Sequence, residues 1–264
     1  MPVVADVIHV HYELSGKTDA PVVMLSHSLG SSLAMWEPQM PALTEHFQVL
    51  RYDIRGHGGS EAVIGEYTLD MLGDDALGLM DVLGIERVHW VGLSLGGMIG
   101  QNLALRHPKR LRSLSLCATM AAVPAAAQSI WQERIATARD RGMEALAQPT
   151  MERWFTAPYR HQDPEAIKRI RQYFLATPVA GYIGCCEAIR QLDYLERLKT
   201  VKVPTLIVVG ADDPATPVAA SEAMQARIKG SRLVVISQAA HLVNVEQPHA
   251  FNQALLAFLA ERKG

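Results

Sequence analysis

Short unbroken apolar runs alternate along this chain with longer stretches in which apolar residues recur every three or four positions. That texture belongs to strands buried on both faces, joined by amphipathic helices. Residues 7–14 alternate apolar and polar side chains and predict a first strand, with Ser15, Gly16 and Lys17 turning the chain. Pro21 then precedes the continuous run Val22, Val23, Met24, Leu25 and Ser26, and residues 47–53 predict the next strand. From 68 to 83 the spacing is helical, with Thr68 placed to cap the helix and Gly84 to stop it. A strand over 88–93 leads directly into helix-compatible sequence that runs to about Arg106, where His107 and Pro108 break it, and residues 111–117 return to the sheet. Strands separated by helices of this length imply right-handed crossovers in a mostly parallel sheet.

The texture changes after Met120. Residues 121–200 offer no convincing strand and several amphipathic helices, for example over 128–141 and 163–174. Sheet pattern resumes at 203–210 and again at 233–236, with a helix beginning near Pro217 between them and an amphipathic segment over 248–259 at the end. The predicted fold class is therefore α/β, with a mostly parallel central sheet flanked by helices and a helical cap insertion. The predicted division is a first core part at 1–120, a helical cap at 121–200 and a second core part at 201–264.

Composition narrows the function classes. At 264 residues and 49% hydrophobic content the chain can bury a large core, and disorder is not expected. Lys plus Arg number 25 against 27 Asp plus Glu, a net charge of −2, which argues against a nucleic-acid partner. No apolar run approaches the roughly 18 residues that span a bilayer, so no membrane partner is expected. Residues 1–15 lack a signal-peptide pattern, and the three cysteines, Cys117, Cys185 and Cys186, have no disulfide or metal-site spacing. These features predict a cytoplasmic protein with reduced, buried thiols and no metal. Oligomeric state is not legible.

The chemistry centres on residues 92–96, a Gly-x-Ser-x-Gly turn between a strand and a helix. Gly92 and Gly96 allow strand and helix to approach closely around Ser94, and the turn places the Leu95 N–H at a helix start, where developing negative charge is stabilised. By itself the pattern fits an incidental serine in a tight turn equally well. A nucleophilic serine needs a base, and the base needs an orienting acid. Of the ten histidines only His241 follows the last predicted strand in a loop; His9, His11 and His89 lie in strand patterns, and His107, His161 and His249 adjoin helix ends. For the acid, Asp212 and Asp213 both follow the 206–209 run; Gly-x-x-Asp spacing favours Asp213, with Asp212 left to cap or brace the loop. The order Ser, Asp, His is that of the α/β-hydrolase arrangement. In it a second oxyanion donor comes from the loop after the early strand, here the Leu29 N–H, with His27 bracing that loop.

The whole chain resembles the α/β-hydrolases that carry a helical lid, and among them the 3-oxoadipate enol-lactonases. The resemblance is carried by residues 27–30 with 35–39, by 52–60, by 92–101 and by 210–217; Ser28, where many relatives have glycine, and the 212–217 run weigh most. It implies cofactor-free hydrolysis of a five-membered enol-lactone with a carboxymethyl arm, giving 3-oxoadipate in aromatic catabolism through an acyl-enzyme on Ser94. The partner implied is a small anionic lactone. The cap offers Arg134, beside Trp131, and Arg190 for its carboxylate, while Trp131 and Trp154 suit either an apolar pocket mouth or the lid core. Other readings of the same scaffold stay open: a carboxylesterase, a meta-cleavage-product C–C hydrolase, a cofactor-free perhydrolase, or a ligand receptor of hydrolase shape.

Overall fold

The computed structural model describes residues 8–262. Seven strands form one sheet in the order β1-β3-β2-β4-β5-β6-β7: β1 Tyr12–Gly16, β2 Val22–Ser26, β3 Gln48–Tyr52, β4 Val88–Leu93, β5 Leu111–Cys117, β6 Thr205–Gly210 and β7 Arg232–Ile236. Only β1 runs antiparallel, against β3. The other pairs are parallel, with Ser26 in register with both Tyr52 and Gly92 and Leu93 with Cys117, so the carboxyl ends of the central strands finish along one edge. Ligands of open parallel sheets bind outside that edge.

Helices α1 Met40–Thr44 and α2 Leu69–Val82 precede β4, and α3 Leu95–Arg106 follows it without a linker beyond Ser94. Between β5 and β6 lie five helices: α4 Gln128–Arg141, α5 Glu144–Trp154, α6 Ala157–Gln162, α7 Pro164–Ala176 and α8 Val179–Arg190. The chain closes with α9 Val218–Arg227, α10 Val243–Glu246 and α11 Pro248–Ala260. Thr68 caps α2 by accepting from the Met71 N–H at 3.1 Å, and Gly84 beyond its end takes φ +67°.

Strands β4 and β6 are buried along their whole length, in keeping with their mostly apolar sequence; the one imidazole, His89, is bonded to Ser113. Trp90, Val91 and Leu93 are wholly enclosed, and α3 packs over β4 and β5. Each such side chain contributes roughly 1.5–3 kcal/mol by leaving water. At the other end of the sheet α9 and α11 pack on β6 and β7.

The first strand sits later than its alternation predicts. Val7 lies outside the described residues, His9 and His11 precede β1, and all five β1 residues are exposed. The backbone at these histidines pairs with the loop after β3 instead: His11 O accepts from Asp53 N and His9 O from Glu61 N, each at 2.9 Å. The three cysteines are free and buried. Among the described residues no helix is long and apolar enough to cross a membrane.

Candidate active site

Ser94 occupies the junction of β4 and α3 with φ +55° and ψ −110°, a conformation a non-glycine residue holds only when its surroundings impose it. A β-carbon built on Gly92 would lie 2.1 Å from the Gly96 carbonyl oxygen, and one on Gly96 would lie 2.1 Å from that of Ser26. Only glycine fits at either place. The turn is pinned by Ser94 N donating to Cys117 O at 2.9 Å and by Thr119 Oγ1 donating to Ser94 O at 2.8 Å.

His241 lies in the loop after β7, with its Nδ1 2.9 Å from Asp213 Oδ2. Asp213, in the turn after β6, is buried, whereas Asp212 is exposed and its N–H donates to Ala239 O. Asp213 Oδ1 accepts from the N–H groups of Ala215 (2.8 Å) and Thr216 (3.0 Å), and Thr216 Oγ1 donates to Oδ2 at 2.6 Å. Burial by itself would raise the Asp213 carboxyl, but the facing His241 and the hydrogen bonds from His241 and Thr216 hold it below the ordinary aspartate range. With Nδ1 engaged by the carboxylate, Nε2 is the ring nitrogen left for a reacting group. Among the described residues no hydrogen bond joins Ser94 Oγ to His241, a contact that often closes only with substrate bound.

The loop after β2 is held by two neutral histidines. His27 Nδ1 donates to Ser28 O at 2.7 Å while Nε2 accepts from Ile54 N at 2.9 Å, a set of partners that uses both nitrogens for bracing. His57 Nε2 accepts from Gly30 N at 2.9 Å. Burial pushes His57 down to about 3, assisted by the neighbouring His27, and burial lowers His27 as well, so both rings stay uncharged near neutrality. Their effect on the backbone is specific. Gly30 N is taken by His57 and Gly96 N by His27 O at 3.1 Å, whereas the N–H groups of Leu29 and Leu95 have no protein acceptor among the described residues. Two orphan donors beside a serine at a helix start can stabilise an oxyanion.

A cavity of about 260 Å³ opens over Ser94 and His241. Ser28, Leu29 and Met98 of the sheet side line it together with Trp131, Arg134, Arg153, Trp154, Phe174 and Tyr182 of the inserted helices. Arg134 stacks its guanidinium over Trp131 at 4.6 Å. Arg153, which the sequence reading did not single out, donates to Thr150 Oγ1 at 3.0 Å. Among the described residues neither guanidinium has a carboxylate within 4.0 Å. Burial, then the charge of Arg134, lowers Arg153, so an anion between the two would relieve both costs. Arg190 is placed elsewhere: it pairs with Glu187 at 2.6 Å, bonds Gln128, and does not line the cavity. One helical turn separates Arg190 from Glu187, and that local pairing satisfies its charge. Trp154 is buried and edge-on to Phe174, so it belongs to the helical core and to the cavity wall at once. A larger open cleft of about 640 Å³ lies outside the Asp212–Pro214 turn, and neither Ser94 nor His241 lines it.

The sequence profile of the alpha/beta hydrolase fold family matches residues 21–248. The chain is 35% identical over 252 residues to 3-oxoadipate enol-lactonase 2 of Acinetobacter baylyi, covering 96% of this chain and 93% of that one. It is 31% identical over 260 residues, 97% of this chain and 98% of the other, to a Stutzerimonas stutzeri protein provisionally named a carbamate hydrolase. The crystal structure of an enol-lactonase from Burkholderia xenovorans superposes with a TM-score of 0.93 at 42% identity, covering 96% of this chain and 97% of that one.

Proposed function

Because the chain belongs to the alpha/beta hydrolase fold family, we propose that it is a cytoplasmic serine hydrolase that opens 3-oxoadipate enol-lactone to 3-oxoadipate in the breakdown of aromatic compounds. One observation carries the reading: Ser94, His241 and two guanidinium groups that, among the described residues, have no carboxylate within 4.0 Å line a single cavity of about 260 Å³. That is the space and charge for a small lactone bearing a carboxylate. The similarity to the enol-lactonases supports the choice of lactone.

In this scheme Ser94 Oγ attacks the lactone carbonyl while His241 Nε2 takes its proton, and Asp213 holds the ring and its developing charge. The Leu29 and Leu95 N–H groups receive the oxyanion; one such donor is worth roughly 2.7–4 kcal/mol in comparable sites. The carbonyl then re-forms, the ring C–O bond breaks, and His241 returns the proton to the departing enol oxygen. That oxygen stays tethered in the acyl chain, and its tautomerisation to a ketone draws ring opening forward. Water, deprotonated by His241, next attacks the ester carbon, and Ser94 leaves with the proton to release the diacid. Arg134 and Arg153 hold the substrate carboxylate, with Trp131 stacked beneath one of them. The helices between β5 and β6 act as the cap of the site.

The test is ultraviolet monitoring of enol-lactone consumption by the purified protein beside Ser94→Ala. Full activity in that variant would sink the scheme. Comparing kcat/KM on the enol-lactone, a p-nitrophenyl ester, a dienone and a small carbamate fixes the substrate class, and a carbamate preferred over the lactone would overturn the proposed substrate while leaving the serine chemistry in place.

A further inference from the structure

The loop that carries His241 is fastened on both sides to the helices inserted between β5 and β6. Before the histidine, Ala240 N donates to Glu246 Oε2 at 2.8 Å, and the other oxygen of that carboxylate accepts from Thr156 N at 3.1 Å and from the Thr156 hydroxyl. After it, Leu242 N donates to Trp154 O at 3.0 Å. Tyr159 OH adds a bond to Val245 O at 3.3 Å. Trp154 and His241, which these contacts link, both line the cavity.

Glu246 is only 4% exposed, and burying a carboxylate is costly unless donors converge on it. Three do, and they come from two parts of the chain some 80 residues apart, Thr156 and Ala240. One oxygen is spent on the residue next to His241; the other is spent on the N-cap of α6, two residues beyond Trp154. We propose that Glu246 is a positioning residue for His241, fixing the histidine loop against segment 154–156 so that the imidazole and the tryptophan wall of the cavity keep one spacing. The inference rests on the reading of His241 as the proton carrier. It adds that the inserted helices set the geometry of the base as well as the shape of the pocket.

The test is a double-mutant cycle. Glu246→Gln keeps the shape but replaces one oxygen with an NH₂, so either Ala240 N–H or the Thr156 donors then face a donor. On both the enol-lactone and a neutral p-nitrophenyl ester, kcat falls on the order of tenfold to a hundredfold, the scale of a small misplacement of a reacting group. KM moves less than about threefold, because the groups that bind substrate are untouched. In a His241→Ala background the same change alters the residual ester rate by less than about twofold, since Glu246 acts only through the imidazole. Wild-type kcat in Glu246→Gln overturns the proposal, and so does an equal loss in the His241→Ala background, which would make the carboxylate a general support of the fold. Should Glu246→Gln fail to fold by circular dichroism, Thr156→Val, which leaves the Ala240 contact in place, is read through the same cycle. Full activity in His241→Ala would instead overturn the functional reading on which the proposal rests, so the two failures are distinct.

Discussion

Thr216 Oγ1 donates to Asp213 Oδ2 at 2.6 Å, the same oxygen that faces His241 Nδ1 at 2.9 Å. The hydroxyl also lies 3.4 Å from that nitrogen, so one threonine sets the orientation of both groups. Removing it while keeping the shape isolates its contribution. Thr216→Val loses a hydrogen bond to a charged group, worth about 1.5–3 kcal/mol. Stability in urea should drop by that order, and kcat roughly tenfold, while Thr216→Ser restores most of both. Equal kcat in the valine and wild-type proteins would show that the two backbone N–H groups on Oδ1 suffice.

The two guanidinium groups in the cavity separate binding from chemistry. Arg153→Met and Arg134→Met should each raise KM for the anionic lactone roughly 10- to 100-fold, the equivalent of losing one charge-assisted bond. On a neutral p-nitrophenyl ester the same variants should change kcat/KM by less than about threefold. Equal losses on both substrates would mean that the arginines shape the cavity without recognising charge.

Acid stability should report the buried histidines. His57 is held neutral down to about 3, and His27 is lowered too, whereas an unfolded histidine takes its proton near pH 6.5. Below about 6.5 the unfolded chain therefore binds more protons than the folded one, and stability falls as pH drops from about 6.5 towards about 3. Asp213 and Asp53 act in the same direction lower down: each is held below its usual range, so the stability each contributes is present above about 3.9 and is lost as pH falls through the folded value. Urea midpoints at pH 7 and pH 4.5 measure the histidine part, because both points lie above the window in which the aspartates act. His57→Gln, whose carbonyl can still accept from Gly30 N, should narrow the gap between them; an unchanged gap would place the acid sensitivity elsewhere.

Gly96 is the position where strand, turn and helix meet. A methyl group there must displace the Ser26 carbonyl, 2.1 Å away, and with it the loop that bears Leu29. Gly96→Ala should cost about 1–3 kcal/mol in stability, the range for overpacking. It should also lower kcat/KM on the order of a hundredfold by moving a donor away from the reacting oxygen. A fully active alanine variant would contradict the close approach at this turn.

Much of the scaffold is local and so could be read directly. The 22–26, 88–93 and 205–209 runs are mostly apolar because both faces of their strands are covered, and α2 is bracketed by the Thr68 hydroxyl and the positive φ of Gly84. The alternation at 7–14 gives a strand only from Tyr12, because the backbone at His9 and His11 pairs with the loop at 53–61, some 40 to 50 residues away. The seven-stranded α/β sheet and the strained turn at Ser94 follow from patterns spanning a few residues each.

The choice among partners was decided only in three dimensions. Sequence spacing favours Asp213 over its neighbour Asp212 without showing a contact; the fold buries Asp213 against His241 and turns Asp212 to solvent. Arg134, Arg153 and Arg190 all sit on helices, yet a glutamate one turn away neutralises Arg190 while, among the described residues, the other two line the cavity with no carboxylate within 4.0 Å. The bracing roles of Thr216, His57 and Glu246 are not assigned from sequence, because each depends on where the fold brings its hydrogen-bond partner. Hydrophobic period and turn chemistry act over a few residues and are written in the chain, whereas which side chain is left unpaired in a cavity is a property of elements far apart in sequence, and only their packing sets it.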